Sequence, residues 1–278
     1  MSSNKIPKVI HYCWFSGEDI PEFLQSCIDS WKEVMPDYQL RLWDANSFDF
    51  NSIPFVKEAF ELRKWAFVAD YIRLYAIFQE GGIYMDSDVR VFKPFDEFLK
   101  YDFFTSHELH PSQFTSSEKS KLDVNGLPIN KDDYIYGLNI QAAIMGGAKG
   151  NVYVKECMDF YNDKHLVSED GRVLDKEFVI GPYISKTAEK YGYVYNDKEQ
   201  MLDNNMIILK PEIFVGNHVF LTKYSYAIHL MNGSWREKTL YENVHYKIKN
   251  NYPELFKFVL FCEDNLRAVR KFVRSVAN

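Results

Sequence analysis

Residues 65–91 read WAFVADYIRLYAIFQEGGIYMDSDVRV: a helix-forming segment, a double glycine, a short apolar run and two aspartates. On the helical part Asp70 and Arg73 stand three residues apart and share a face. Val68, Ile72, Ala76 and Phe78, with Leu74 and Ile77, give that helix wide apolar cover for burial. Gly81-Gly82 is expected to stop it, because glycine adopts the left-handed cap conformation without steric penalty. Ile83-Tyr84-Met85 then predicts a strand. In an extended chain the carboxylates of Asp86 and Asp88, two residues apart, point the same way. Like charges at a strand end repel, and burying them unpaired costs several kcal/mol. A hard divalent ion such as Mg or Mn relieves that cost through oxygen ligands. Asp-x-Asp alone is also an ordinary solvated turn. The helix with Asp70 and Arg73 directly before it is what favours the metal reading.

The flanking sequence supplies a frame. KVIHYCWF, Lys8–Phe15, reads as a buried first strand that stops at Ser16-Gly17,. Trp14 therefore sits at the strand's carboxyl end, where open α/β sheets bind ligands, although a core tryptophan reads equally well. Pro21–Met35 predicts a helix with Leu24, Ile28, Trp31 and Met35 as its apolar stripe. Tyr38–Trp43 predicts a strand, followed by Asp44-Ala45-Asn46, either a plain turn or polar groups for a nucleoside. With a helical region from about Pro54, the order is β-α-β-α-β, which points to a layered α/β fold.

Further strands are expected at Val89–Phe92, Asp102–Ser106, from Gly137, and at Tyr193–Tyr195, Met206–Leu209 and Val219–Leu221. Helices are expected over Asn151–Tyr161 and from Val179 to Lys190. The polar stretch from His107 to Gly137 reads as a long loop suited to a second substrate. His229 closes an apolar run within YAIHLMNGSW and reads as a metal ligand or a core histidine. From Tyr252 a helix with a basic end (Arg267, Arg270, Lys271, Arg274) either packs on the domain or rests on an anionic membrane surface.

Hydrophobic content of 46% over 278 residues is ample for a core,. A net charge of −6 argues against nucleic acid held by bulk electrostatics,. The 22 Phe and 19 Tyr supply core rings and stacking surfaces alike. Cys13, Cys27, Cys157 and Cys262 form no C-x-x-C pair, which argues against zinc and for a reducing compartment. The N-terminus carries no long apolar region, and no run approaches the ~20 residues that span a bilayer. The expectation is a cytoplasmic protein, at most at the inner face of the plasma membrane.

IPKVIHYCWFSG, the 65–91 stretch and HLMNGSW together resemble, in that order, the bacterial family 32 glycosyltransferases with Asp-x-Asp motifs, and more distantly the glucosyltransferase domain of large clostridial toxins. The resemblance covers about residues 5 to 95 and 226 to 235. It implies a Rossmann-like GT-A fold over 1–240, with 241–278 as a helical extension packed on it. It also implies a nucleotide-sugar donor, Mn2+ or Mg2+, retention at the anomeric carbon, and an oligosaccharide or lipid-linked glycan acceptor in capsular polysaccharide synthesis. By residue, it implies that Trp14 stacks on the base, Asn46 contacts the nucleoside, and Asp70 and Arg73 hold the donor sugar and phosphate. Tyr84 and Asp86 would contact ribose and donor, Asp88 and His229 would bind the metal with Asp86, and Ser234 and Trp235 would close over the diphosphate. UDP-galactose or UDP-glucose is the expected donor, with GDP-mannose as the alternative. A non-catalytic carbohydrate-binding protein is the rival of a different class. A phosphatase of the Asp-x-Asp type fits less well, because Arg90 stands where Thr or Val is needed. A two-carboxylate glycosidase needs carboxyls flanking the bond, not side by side.

Overall fold

The computed structural model describes residues 5–174 and 177–231. In chain order its elements are β1 (Val9–Cys13), α1 (Glu22–Val34), β2 (Gln39–Trp43), α2 (Pro54–Glu61), α3 (Trp65–Glu80), β3 (Gly82–Met85), β4 (Val89–Val91) and β5 (Phe103–Leu109). There follow α4 (Ser116–Lys119), β6 (Leu138–Ile140), β7 (Ile144–Gly147), α5 (Val152–Asp159), α6 (Ile180–Ala188), β8 (Gln200–Leu202), β9 (Met206–Leu209), β10 (Phe214–Val215) and β11 (Ala227–His229).

The main sheet runs β2-β1-β3-β7-β5-β9-β8, with β6 alongside β5, and a small sheet runs β10-β11-β4. β1 is parallel to β2 and to β3, with Ile10 level with Leu40 on one side and Ile83 on the other. β7 is antiparallel to both β3 and β5. β5 therefore runs in the same direction as the first three strands, and β9 runs parallel to it. The carboxyl ends of β1, β2, β3 and β5 all reach one edge of the sheet, which is where ligands bind in folds of this kind.

Strand alternation divides the core into two layers. Tyr84, Phe103, Met145, Met206 and Ile208 pack on one face with residues of α2, α3, α5 and α6. Their neighbours Ile83, Met85, Phe104, Ile144, Ile207 and Leu209 pack on the other with Ile28 and Trp31 of α1 and Phe214 and Ala227 of the small sheet. This is the layered, mixed α/β arrangement that the β-α-β-α-β order predicts,. α3 is buried almost all round, including Asp70 and Arg73.

The double glycine is a packing requirement. Gly81 has φ +70° and ψ 174°, the region open essentially to glycine alone, and its N–H still donates to Ile77 O at 2.8 Å,. The helix therefore stops as expected, but the chain leaves extended rather than in the left-handed helical cap. Gly82 has φ +118°, and a Cβ there would lie 2.7 Å from Val9 O and 2.9 Å from His11 Nε2. His11 is fully buried and locked in one tautomer. The Trp43 indole N–H donates to His11 Nδ1 at 3.1 Å, so Nε2 carries the proton and donates to Gly81 O at 2.7 Å,.

Three expectations need correction. Tyr193–Tyr195 is not a strand: Tyr193 and Tyr195 are buried core rings on a turning backbone, with Tyr195 N–H donating to Gly126 O at 2.8 Å. The strand there is β8, further on. Val219–Leu221 overlaps a single 3-10 turn, His218–Phe220. The presumed loop from His107 begins later, because β5 continues to Leu109, held by pairing with β6. Ser234, Trp235, the boundary at 240 and the helix from Tyr252 lie outside the described residues.

Gly82→Ala meets backbone and a locked imidazole together, so unfolding in urea should show a loss of ~3 kcal/mol or more. A wild-type midpoint in that variant would contradict the packing between β1 and β3.

Candidate active site

Sequence alternation places Asp86 and Asp88 on one side of an extended chain; the structure brings them together differently. Asp86 N–H donates to Ala143 O at 2.9 Å, and Val89 N–H donates to Asp86 O at 2.9 Å, closing a turn over Ser87 and Asp88. β11 then docks on that turn. It is antiparallel to β4, with His229 opposite Val89, and Leu230 N–H donates to Asp88 O at 3.1 Å. His229 Nε2 lies 3.2 Å from Asp88 Oδ1 and 3.7 Å from Asp86 Oδ2. One ligating atom from each of these three residues falls within 4.8 Å of the others.

Beneath this cluster lies Arg73, 5% exposed. Its Nε donates to Ala69 O at 3.1 Å, Nη1 to Ala142 O at 2.7 Å and Nη2 to Asp70 Oδ1 at 2.8 Å. Nη1 also stands 3.6 Å from Asp86 Oδ1, and the guanidinium carbon lies 4.8 Å from the centre of the Tyr84 ring,. The Tyr84 hydroxyl donates to Asp86 Oδ1 at 2.8 Å. Arg73 and Tyr84 therefore fix the inner oxygen of Asp86, leaving the outer one to His229. Tyr84 is 1% exposed, so its ring supports Asp86 and offers no face to a ribose. Asp70 and Arg73 are likewise committed to each other and to backbone carbonyls, and support the site from below.

Carboxylates crowd this cluster. Burial pushes the Asp70 carboxyl up to about 6, against the pull of Arg73. Glu108, at the end of β5, is the acid that sequence reasoning missed. Burial raises its carboxyl, but contact with His110 and the charges of His229 and Arg73 pull it below the usual range. Asp86, Asp88 and Glu108 all act on His229, and a divalent ion would add positive charge where the two DXD carboxylates meet,. Two carboxylates and an imidazole at this spacing fit Mg or Mn as a donor set.

Trp14 and Asn46 follow β1 and β2 at the same edge. Trp14 is half-buried: its N–H donates to Trp43 O at 2.9 Å and its indole to Glu18 O at 2.6 Å. Asn46 is exposed in a turn where its N–H donates to Asp44 Oδ1 at 2.9 Å. Asn139 is buried, and its side-chain amide donates to Ile135 O at 2.8 Å.

Residues 21–105, which contain both aspartates and Asp70-Arg73, match the family model described as "Glycosyltransferase sugar-binding region containing DXD motif". Inositol phosphoceramide mannosyltransferase 3 of Schizosaccharomyces pombe is 34% identical over 107 residues, covering 36% of this chain and 29% of that protein. Glucan organizing enzyme 1 of Cryptococcus neoformans is 42% identical over 66 residues, covering 24% and 17%. The chain spans less than a third of the length of each. The solved PaToxG glycosyltransferase overlays with a TM-score of 0.44 at 17% identity, covering 66% of this chain and 69% of that one. The family match is confined to 21–105, where the chain is similar to glycosyltransferase sugar-binding regions of the DXD type.

Burial opposes a charge on His229, but Asp88, Asp86 and Glu108 outweigh it and push its pKa up to about 9. A pKa raised on folding contributes stability that is complete below the unfolded value and is lost as pH rises through the folded one. The melting temperature of chelator-treated protein should therefore fall between about pH 6.5 and 9, and less so in His229→Gln. An NMR titration of the ring below the ordinary histidine value would contradict this pairing.

Proposed function

We propose that this chain is a divalent-metal-dependent glycosyltransferase that moves a hexose from a nucleoside-diphosphate sugar to a glycan acceptor. The observation that carries this reading is the convergence of Asp86, Asp88 and His229 at the carboxyl edge of the sheet, with both aspartates inside the matched DXD region. Asp86, Asp88 and His229 would hold Mn2+ or Mg2+. When bound, such an ion neutralises the charge that gathers on a departing diphosphate.

The chain's own residues supply the rest. Arg73 and Tyr84 hold Asp86 in a fixed rotamer, so the ligand set is organised before substrate arrives. Trp14, on the loop after β1, offers an indole face to a nucleobase, with the turn at Asp44–Ser47 beside it. In the reaction the anomeric C–O bond breaks with its electron pair going to the phosphate oxygen. The acceptor oxygen forms the new bond on the same face, and its proton passes to the departing phosphate. This gives retention without a protein nucleophile.

The donor divides into two readings. The resemblance around Trp14 supports UDP-galactose or UDP-glucose, whereas the mannosyltransferase named above supports GDP-mannose. Surface or capsular polysaccharide, or a lipid-linked glycan, is the acceptor class in view, in the cytoplasm or at the membrane's inner face. Among the described residues no helix is long and apolar enough to cross a membrane.

Thermal melting with a panel of nucleotides and nucleotide sugars, with and without Mn2+, tests the reading, since ligands of the folded state raise the midpoint by mass action. One nucleotide sugar should give a shift that chelator abolishes, and Asp88→Asn should remove the metal-dependent part and turnover with it. Absence of any nucleotide-dependent shift would overturn the transferase in favour of a carbohydrate-binding protein. Trp14→Ala should weaken nucleotide binding by roughly tenfold at saturating metal; unchanged affinity there would remove the indole from the base site.

A further inference from the structure

We infer that Glu108 and His110, at the end of β5, form a saccharide-binding subsite beside the metal cluster, with Glu108 accepting hydrogen bonds from the hydroxyls of the acceptor sugar. The inference rests on the transferase reading for the word acceptor, but its geometry is independent of it.

Three observations carry it. β5 runs parallel to β3, so its end opens on the same edge as Asp86. On that edge the side chain of Glu108 is 20% exposed and that of His110 is 25% exposed, whereas Asp70 and Arg73 are closed off below. The pair is therefore reachable by a ligand that enters beside Asp86 and His229.

The pair is also built. His110 Nε2 lies 3.3 Å from Glu108 Oε1. The loop that carries His110 is tied back by its N–H donating to Gly137 O at 2.7 Å. Gly216 is the floor. It follows Val215, which pairs with Ile228, so it stands level with His229 on the neighbouring strand. A Cβ on Gly216 would lie 3.1 Å from Glu108 Oε1 and 3.1 Å from Gln141 Nε2. Its φ is not in the left-handed region, so space for these two side chains, not backbone conformation, is what asks for glycine.

The chemistry of the lone pairs names the ligand class. Gln141 is fully buried; its amide donates to Phe214 O at 3.0 Å, and its carboxamide oxygen has no partner among the described residues. Glu108 has four lone-pair sites and one imidazole partner. A carboxylate with lone pairs to spare accepts from neutral hydroxyl groups and repels an anion placed in direct contact with it. A pyranoside meets that description; a phosphate does not.

The test uses the full chain with Mn2+ and either UDP or GDP, and reads binding of methyl α- and β-glucosides, galactosides and mannosides by saturation-transfer NMR. Wild type should bind at least one. Glu108→Gln should weaken that glycoside on the order of tenfold, a larger loss than any it causes in nucleotide affinity. His110 acts through Glu108, so His110→Ala should weaken the glycoside and His110→Gln, which still donates, should restore most of the loss. If Glu108→Gln unfolds, Gly216→Ala, which presses on the Glu108 carboxylate, should reproduce the glycoside defect. Undiminished glycoside binding in Glu108→Gln, or no glycoside binding by wild type, overturns the subsite. Glycoside binding that depends on Glu108 in a chain that binds no nucleotide would uphold the subsite and dismiss the transferase.

Discussion

A single buried guanidinium sets the geometry on which the site depends. Arg73 lies inside a helix that is apolar nearly all round, where an unpaired charge would be prohibitive,. It is tolerated because every direction of its planar fork is answered: a carbonyl on its own helix, a carbonyl at the entry to β7, the carboxylate of Asp70, and the face of Tyr84,. Such a network adds little net stability over an apolar core of the same shape. What it does is hold α3, β3 and the segment before β7 in one relative position, with Asp86 at their meeting point. A lysine there would keep the charge and lose the three-way geometry.

The two sides of the metal cluster are built on different logic. Asp86 and Asp88 come from one short turn, and their spacing is local. His229 arrives from far along the chain on a separate small sheet, and its placement depends on β11 pairing with β4 and on Leu230 binding the backbone of Asp88. The outer wall is thus assembled by tertiary contact against an inner wall fixed by local chemistry, and Glu108 enters from a third strand.

Much of this was legible in the residues. The helix stop at Gly81-Gly82, the strand after it and the alternating order of elements follow from local conformational preference, and these positions behave as read. Asp70 and Arg73 do share a face, because three-residue spacing on a helix leaves no other outcome. Non-local facts were not legible. Strand periodicity gave a plausible reason for two carboxylates on one side, yet the chain turns at that point. Aromatic residues at Tyr193 and Tyr195 imitate a strand signal because buried rings and strand residues draw on the same side chains. Glu108 could not be singled out, since nothing local says that β5 parallels β3; that depends on β7 inserting between them in the opposite sense.

That inserted strand has a consequence for how the protein is made. The trio β2-β1-β3 can pair once Met85 has left the ribosome, but β3's other flank remains without its partner until Gly147 follows. During that interval the nascent chain carries an apolar strand with an open edge, the form most apt to capture another copy. The Asp-x-Asp turn sits at the end of this strand.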